Sequence, residues 1–170
     1  MSARSAAPAG AAGLADEALL RRLERLQLAY VHGIDDGPLE AWPEFFTDPC
    51  LYTITARDNF ERGLELGVMR FESVAMLRDR ATATQHAAVF APRRIRHVLG
   101  GTLVDATGED GVRARTNVAI YQTSADGDTL LLMVAEYRDR VVEQGGALRF
   151  AEKLVVYDTL RLPDSIVYPL

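Results

Sequence analysis

The chain of 170 residues has one cysteine, Cys50, and three histidines, His32, His86 and His97. A single thiol excludes a disulfide within the chain. It also excludes a structural zinc site built on paired Cys/His ligands, and an iron–sulfur cluster of the four-Cys or two-Cys, two-His kind. Two histidines and a carboxylate suffice for a mononuclear iron, but these histidines stand far apart, so no metal ligand set is assigned. Lysine is nearly absent too, Lys153 being the only one among 19 basic residues. The others are arginines, which suit forked pairing with carboxylates at a contact. No apolar run approaches the length of a membrane span, and the net charge of −5 offers no basic surface to nucleic acid or anionic lipid.

What is present fits one globular domain. A hydrophobic fraction of 48% in a chain of this length supplies a core without covalent staples. Residues 1–15 are small and Ala-rich and lack the apolar stretch of a secretory signal. They read as a disordered arm preceding a single α+β domain over 16–170, and the cytoplasm is the expected compartment. Asp16 caps a first helix with Leu19, Leu23, Leu26 and Tyr30 on one stripe, and Gly33 is its expected stop. A turn at Asp35-Asp36-Gly37-Pro38 leads to a short second helix, with Leu39, Trp42 and Phe46 inward and Pro43 distorting it.

A strand over 50–55, an irregular connection over 57–69 and a third helix over 71–85 follow, the helix turning Phe71, Val74, Leu77 and Met76 inward. Four long strands, about 94–104, 112–123, 129–142 and 148–160, fill the second half. Their turns are Gly108-Glu109-Asp110-Gly111, Asp126-Gly127-Asp128 and Gln144-Gly145-Gly146. Alternation is plain in the second strand. Val112, Ala114, Thr116, Val118 and Ile120 point one way, and Arg113, Arg115, Asn117 and Tyr121 the other. Three helices before a curled antiparallel meander make an α+β layout with helices on the concave face. The tail ends in Ile166, Val167, Tyr168, Pro169 and Leu170, too apolar to stay undocked.

This order of elements resembles the cone fold of nuclear transport factor 2, ketosteroid isomerase and scytalone dehydratase. Short motifs narrow the resemblance. They are Asp35-Asp36-Gly37 before Leu39, Trp42 and Phe45-Phe46; Tyr52-Thr53-Ile54-Thr55-Ala56-Arg57-Asp58-Asn59; and Met76-Leu77-Arg78-Asp79-Arg80. Arg96-His97, Tyr137-Arg138-Asp139 and the ending Asp158-Thr159-Leu160…Tyr168-Pro169-Leu170 continue them. Together they resemble the small (beta) subunit of Rieske-type aromatic-ring-hydroxylating dioxygenases over residues 17–170. Asp58 in place of Glu, Pro43 and the Ala-rich arm depart from the pattern. The resemblance implies a scaffold without a cofactor, forming a trimer beneath a trimer of large (alpha) subunits in an α3β3 assembly. The Rieske [2Fe–2S] cluster and the mononuclear iron would sit on the alpha subunit.

Candidate residues carry two readings. His97, with Asp36 and Tyr52 as neighbours, would suit the general base of a stand-alone cone-fold dehydratase or isomerase. The preferred reading makes His97 a structural or contact residue and assigns no catalytic group. Arg57, Asp58 and Asn59 read equally well as an inter-subunit ion-pair cluster or as a loop capped by its own side chains. Asp79 and Arg80, His97, Tyr137, and Ile166, Tyr168 and Leu170 complete the expected interface set. Asp35 and Asp36 read as turn and cap residues before acid/base carboxylates. The aromatic group Tyr30, Trp42, Phe45, Phe46 and Phe71 reads as filled core before pocket lining, and Cys50 as an inert buried thiol.

Overall fold

Leu23, Gln27, Tyr30, Val31 and Ile34 recur at intervals of three to four residues and form the buried stripe of a long helix, α1 (Ala9–Asp36). The structure, a computed structural model, describes residues 9–86, 91–159, 161–163 and 165–170. The helix corrects three expectations. Residues 9–15 belong to it rather than to an arm, while residues 1–8 lie outside the described residues. Asp16 is interior and caps nothing. Gly33 does not end the helix. A Cβ there would sit 3.2 Å from the ring of Phe45, so the missing side chain admits that ring instead.

The next segment, Leu39–Phe45, is a 3-10 helix rather than an α-helix, with Pro43 inside it. Proline has no N–H for an i−4 bond, so the tighter and shorter helix is the accessible one. Leu39 and Trp42 point inward as expected. Phe46 opens strand β1 (Phe46–Ala56), which begins earlier than the sequence suggests. Residues 57–69 are not wholly irregular either. They include a short helix α2 (Arg57–Glu61) and lead into strand β2 (Met69–Phe71), so Phe71 belongs to a strand. Helix α3 (Val74–His86) buries Val74, Leu77, Ala81 and Thr84, whereas Met76 is exposed.

Strands β3 (Arg93–Gly108), β4 (Gly111–Ser124), β5 (Thr129–Gln144) and β6 (Ala147–Tyr157) form an antiparallel meander through the three expected turns. Gly111 has φ +113 at the first turn, and a Cβ there would meet Val141 O at 2.5 Å; only glycine fits. The expected alternation holds in β4, where Ala114, Thr116, Val118 and Ile120 are buried. The sheet order is β2-β1-β6-β5-β4-β3. It is mixed rather than antiparallel throughout, because β1 runs parallel to β6. Tight turns force antiparallel pairing on the meander, but the long path from β1 to β6 imposes no direction. The sheet curls without closing, leaving β2 and β3 as edges.

Helix α1 lies on the concave face against β3 and β6, and α3 packs on the 3-10 helix and β1. Between them the interior is filled. Tyr30, Trp42, Tyr52, Tyr137 and Phe150 are fully buried, with edge-on ring contacts such as Tyr30–Phe150 at 5.3 Å and Trp42–Tyr52 at 5.2 Å. The tail caps this interior. The Tyr52 hydroxyl accepts from Leu170 N at 2.8 Å and donates to Leu170 O at 3.0 Å, and the Tyr30 hydroxyl donates to the same oxygen at 3.0 Å. Arg80 Nη2 donates to Val167 O at 2.6 Å. The tail therefore docks on its own chain. Tyr52→Phe strands the buried Leu170 N–H, so urea unfolding should register a loss of about 1–2 kcal/mol. An unchanged midpoint would mean that the docked tail contributes nothing.

Candidate functional site

The residues expected to converge as a catalytic group do not. His97 lies on the concave face of β3, where its Nδ1 stands 2.6 Å from Asp35 Oδ1 and its backbone N–H donates to Asp35 Oδ2 at 2.9 Å. Asp35, at the last turn of α1, is thus the histidine's partner, and Asp36 is not. Asp36 faces outward and takes both guanidinium nitrogens of Arg96, at 2.7 and 3.0 Å. That pairing holds its carboxyl below the usual range. Neither aspartate caps a helix or makes a turn as expected, because α1 runs through both. Tyr52 is occupied by the tail, and burial pushes its hydroxyl well above the ordinary tyrosine value. The His97 and Asp35 side chains are 0% and 1% exposed. A groove of about 550 Å³ is lined by Ile34, Asp35, Arg94, Ile95, Ser124 and Tyr168, but His97 and Tyr52 do not line it.

The expected interface residues separate into three places. Arg57 and Asp158 form an ion pair at the start of α2, beside exposed Asp58 and half-buried Asn59. Asp79 is exposed on α3, and Arg80 is turned to the tail, where Ile166 and Tyr168 are half-buried and Leu170 is buried. His97 and Tyr137 face the interior. His97, Tyr137 and Leu170 thus owe their burial to their own chain, which removes them from any surface offered to a partner.

The residues that sequence reasoning missed lie deeper. Lys153, the only lysine, is completely buried on β6. Its ammonium lies 3.2 Å from Asp139 Oδ2 on β5 and donates to Gln27 Oε1 on α1 at 3.0 Å. Gln27 in turn donates its amide to Asp139. The rings of Tyr137, Phe150 and Tyr30 surround the nitrogen, with centroids at 3.7, 4.3 and 4.4 Å. Burial lowers the Lys153 pKa to about 8, against the opposing pull of Asp139, and burial raises that of Asp139. The triad ties β5 and β6 to α1 inside its aromatic cage.

Metal-donor chemistry is sparse. Burial pushes the Cys50 thiol up to about 11, which leaves it inert at neutral pH. His32 and His86 lie on different helices with separate acidic neighbours, Asp36 and Glu40. Among the described residues no group of three or more His, Cys, Asp or Glu is arranged to hold a metal. The donor set does not fit a Rieske cluster, which requires two thiolates and two imidazoles.

Comparison with known proteins agrees with this geometry. A profile described as a SnoaL-like domain matches residues 18–153. The small subunit of anthranilate 1,2-dioxygenase from Burkholderia cepacia is 32% identical over 85% of this chain and 90% of its own length. A beta subunit of the terminal oxygenase component of terephthalate 1,2-dioxygenase from Comamonas is 32% identical over 84% of this chain and 92% of its own length. The chain belongs to the SnoaL-like family, in its dioxygenase beta-subunit branch. In the same branch, a solved beta subunit assigned to an aromatic-ring-hydroxylating dioxygenase of Novosphingobium aromaticivorans superposes with a TM-score of 0.82 at 32% identity. It covers 91% of this chain and 98% of its own. For this dioxygenase beta-subunit homologue the interior triad gives a direct test. Lys153 has its folded-state pKa depressed from 10.5 to about 8, so between those values the unfolded chain holds a proton that the folded chain has released. Its contribution to stability therefore rises with pH across that window. Relative to the double variant Lys153→Met/Asp139→Leu, the wild type should gain stability from pH 8 to 10.5, by at most about 1.4 kcal/mol per pH unit. A flat or falling difference would mean that the buried amine stays a cation.

Proposed function

We propose that this chain is the non-catalytic beta subunit of a multicomponent Rieske non-heme iron dioxygenase that adds O2 to an aromatic ring in aromatic-compound catabolism. Its role is to support assembly of the catalytic alpha subunit. The Rieske [2Fe–2S] cluster and the mononuclear iron belong to that larger partner, and the chain self-associates as a trimer within a cytoplasmic α3β3 complex. One observation carries the reading. The cone interior, where a stand-alone dehydratase or isomerase would keep its substrate pocket, is occupied by Lys153, Asp139 and five large aromatic rings. The names of the relatives, small and beta subunits of dioxygenases acting on anthranilate and terephthalate, support it from a second side. Arg57, Asp58, Asn59 and Asp79 remain as the interface residues that face outward or partly so.

Co-expression with the large subunit, followed by native mass measurement and an iron assay, tests the reading. The expected result is a complex with equal numbers of the two chains and about three iron atoms per large subunit, two from the cluster and one mononuclear. The chain purified alone should bind no iron and turn over no aromatic substrate. A large subunit that folds, loads iron and turns over at full rate without this chain would overturn the proposal.

A further inference from the structure

Three methionines fall among the described residues, and they differ in access to water. Met76, on the first turn of α3, is 42% exposed, whereas Met69 and Met133 are 7% and 0% exposed. The Met76 thioether is also engaged. Its Sδ accepts from Glu72 N at 3.4 Å, just ahead of the helix. Ser73 immediately precedes α3, and its Oγ accepts from Met76 N at 3.3 Å. Ser73 is thus the N-cap and Met76 the third helical residue. In a capping box that third position holds Glu or Gln, whose side-chain oxygen reaches back to the N–H of the cap. Here a sulfur reaches back instead, to the N–H one residue earlier, and a thioether is a weak acceptor. The Glu72 carboxylate is turned aside, accepting from Arg70 Nε at 3.0 Å.

A sulfur that is exposed and aimed at an N–H is open to one chemical change. Hydrogen peroxide transfers one oxygen to a thioether. The O–O bond breaks, an S–O bond forms, sulfur is oxidised by two electrons, and the rest of the peroxide leaves as water. In a core this change is damaging, because it sets a polar group among apolar ones. At Met76 the new oxygen arrives where α3 is short of acceptors. The first N–H groups of a helix have no partner within it, and the positive end of the helix dipole favours a negative oxygen. The contact from Val74 N to Asp48 Oδ1 is a long one, 3.4 Å. A sulfoxide oxygen accepts more strongly than sulfur and extends beyond it, so it completes the box that the thioether only approximates. We infer that Met76 is a reversible oxidation site, and that its sulfoxide tightens the N-terminus of α3 instead of loosening it. The rival sulfur, Cys50, is 6% exposed, and burial keeps it a protonated thiol at neutral pH. Neither half depends on what the chain assembles with.

The test treats the folded full chain with dilute hydrogen peroxide and follows each methionine by peptide mass. Met76 should gain its oxygen, about 16 Da, at least about tenfold faster than Met69 and Met133. The oxidised protein should melt about 1–4 °C above the untreated one. Methionine sulfoxide reductases, one for each sulfoxide epimer, should restore both the mass and the melting temperature. Two variants isolate the site. Met76→Leu keeps the apolar bulk without an acceptor, and peroxide should leave its melting temperature unchanged. Met76→Gln supplies a permanent oxygen acceptor and should melt near the oxidised value without peroxide. Met69 or Met133 reacting as fast as Met76 overturns the assignment of the site. A melting temperature that stays level or falls on oxidation, or that rises equally in Met76→Leu, overturns the cap.

Discussion

The fold depends on one buried ion pair. Lys153 on β6, Asp139 on β5 and Gln27 on α1 bond to one another inside a ring of Tyr30, Tyr137 and Phe150. Two charges removed from water cost several kcal/mol each, and mutual attraction restores that only where geometry and hydrogen bonding are complete. Here each charge has two polar partners or more, and the ammonium has three aromatic faces besides. Removing one member leaves the other buried and unpaired, a loss of about 3–5 kcal/mol. The triad thus fixes where α1 lies on the meander. A displaced helix would leave Asp139 and Lys153 short of an amide partner, which an apolar contact would tolerate.

The remaining interior follows from that placement. With α1 seated, Tyr30 reaches Trp42, Phe150 and the tail, and Asp35 reaches His97 one helical turn farther along. The His97–Asp35 pair joins the end of α1 to β3 as the triad joins its middle to β5 and β6. Tyr52 and Arg80 then hold the tail over the open side. The interior is thus filled from the middle of α1 to the tail.

The fold class was legible because its signals are local. Hairpin turns at Gly111, Gly127 and Gly145, and period-two alternation in β4, specify a meander from short windows of sequence. The parallel pairing of β1 with β6 was not legible, since it depends on which distant strand closes the sheet. The site was read less well. The sequence reads His97 as a structural or contact residue and offers Asp36 as its neighbour in the catalytic alternative, whereas the buried partner is Asp35, because α1 continues through both aspartates. A signal for the triad is nonetheless present in the sequence. In β5 the alternation Ala135, Tyr137, Asp139, Val141 places a carboxylate on the inward face, and in β6 the single lysine alternates with buried Ala151 and Val155. A charged residue in an apolar register demands an opposite charge nearby, and that demand pairs the two without a structure.

On the proposed function this interior is architecture and chemistry takes place on the partner. The most direct measurement is turnover per iron of the assembled complex carrying Asp35→Asn/His97→Gln in this chain, with assembly checked by mass. The account predicts a rate within about twofold of the wild type. A loss of about 100-fold or more in a fully assembled, iron-loaded complex is the signature of a removed general base and would contradict it.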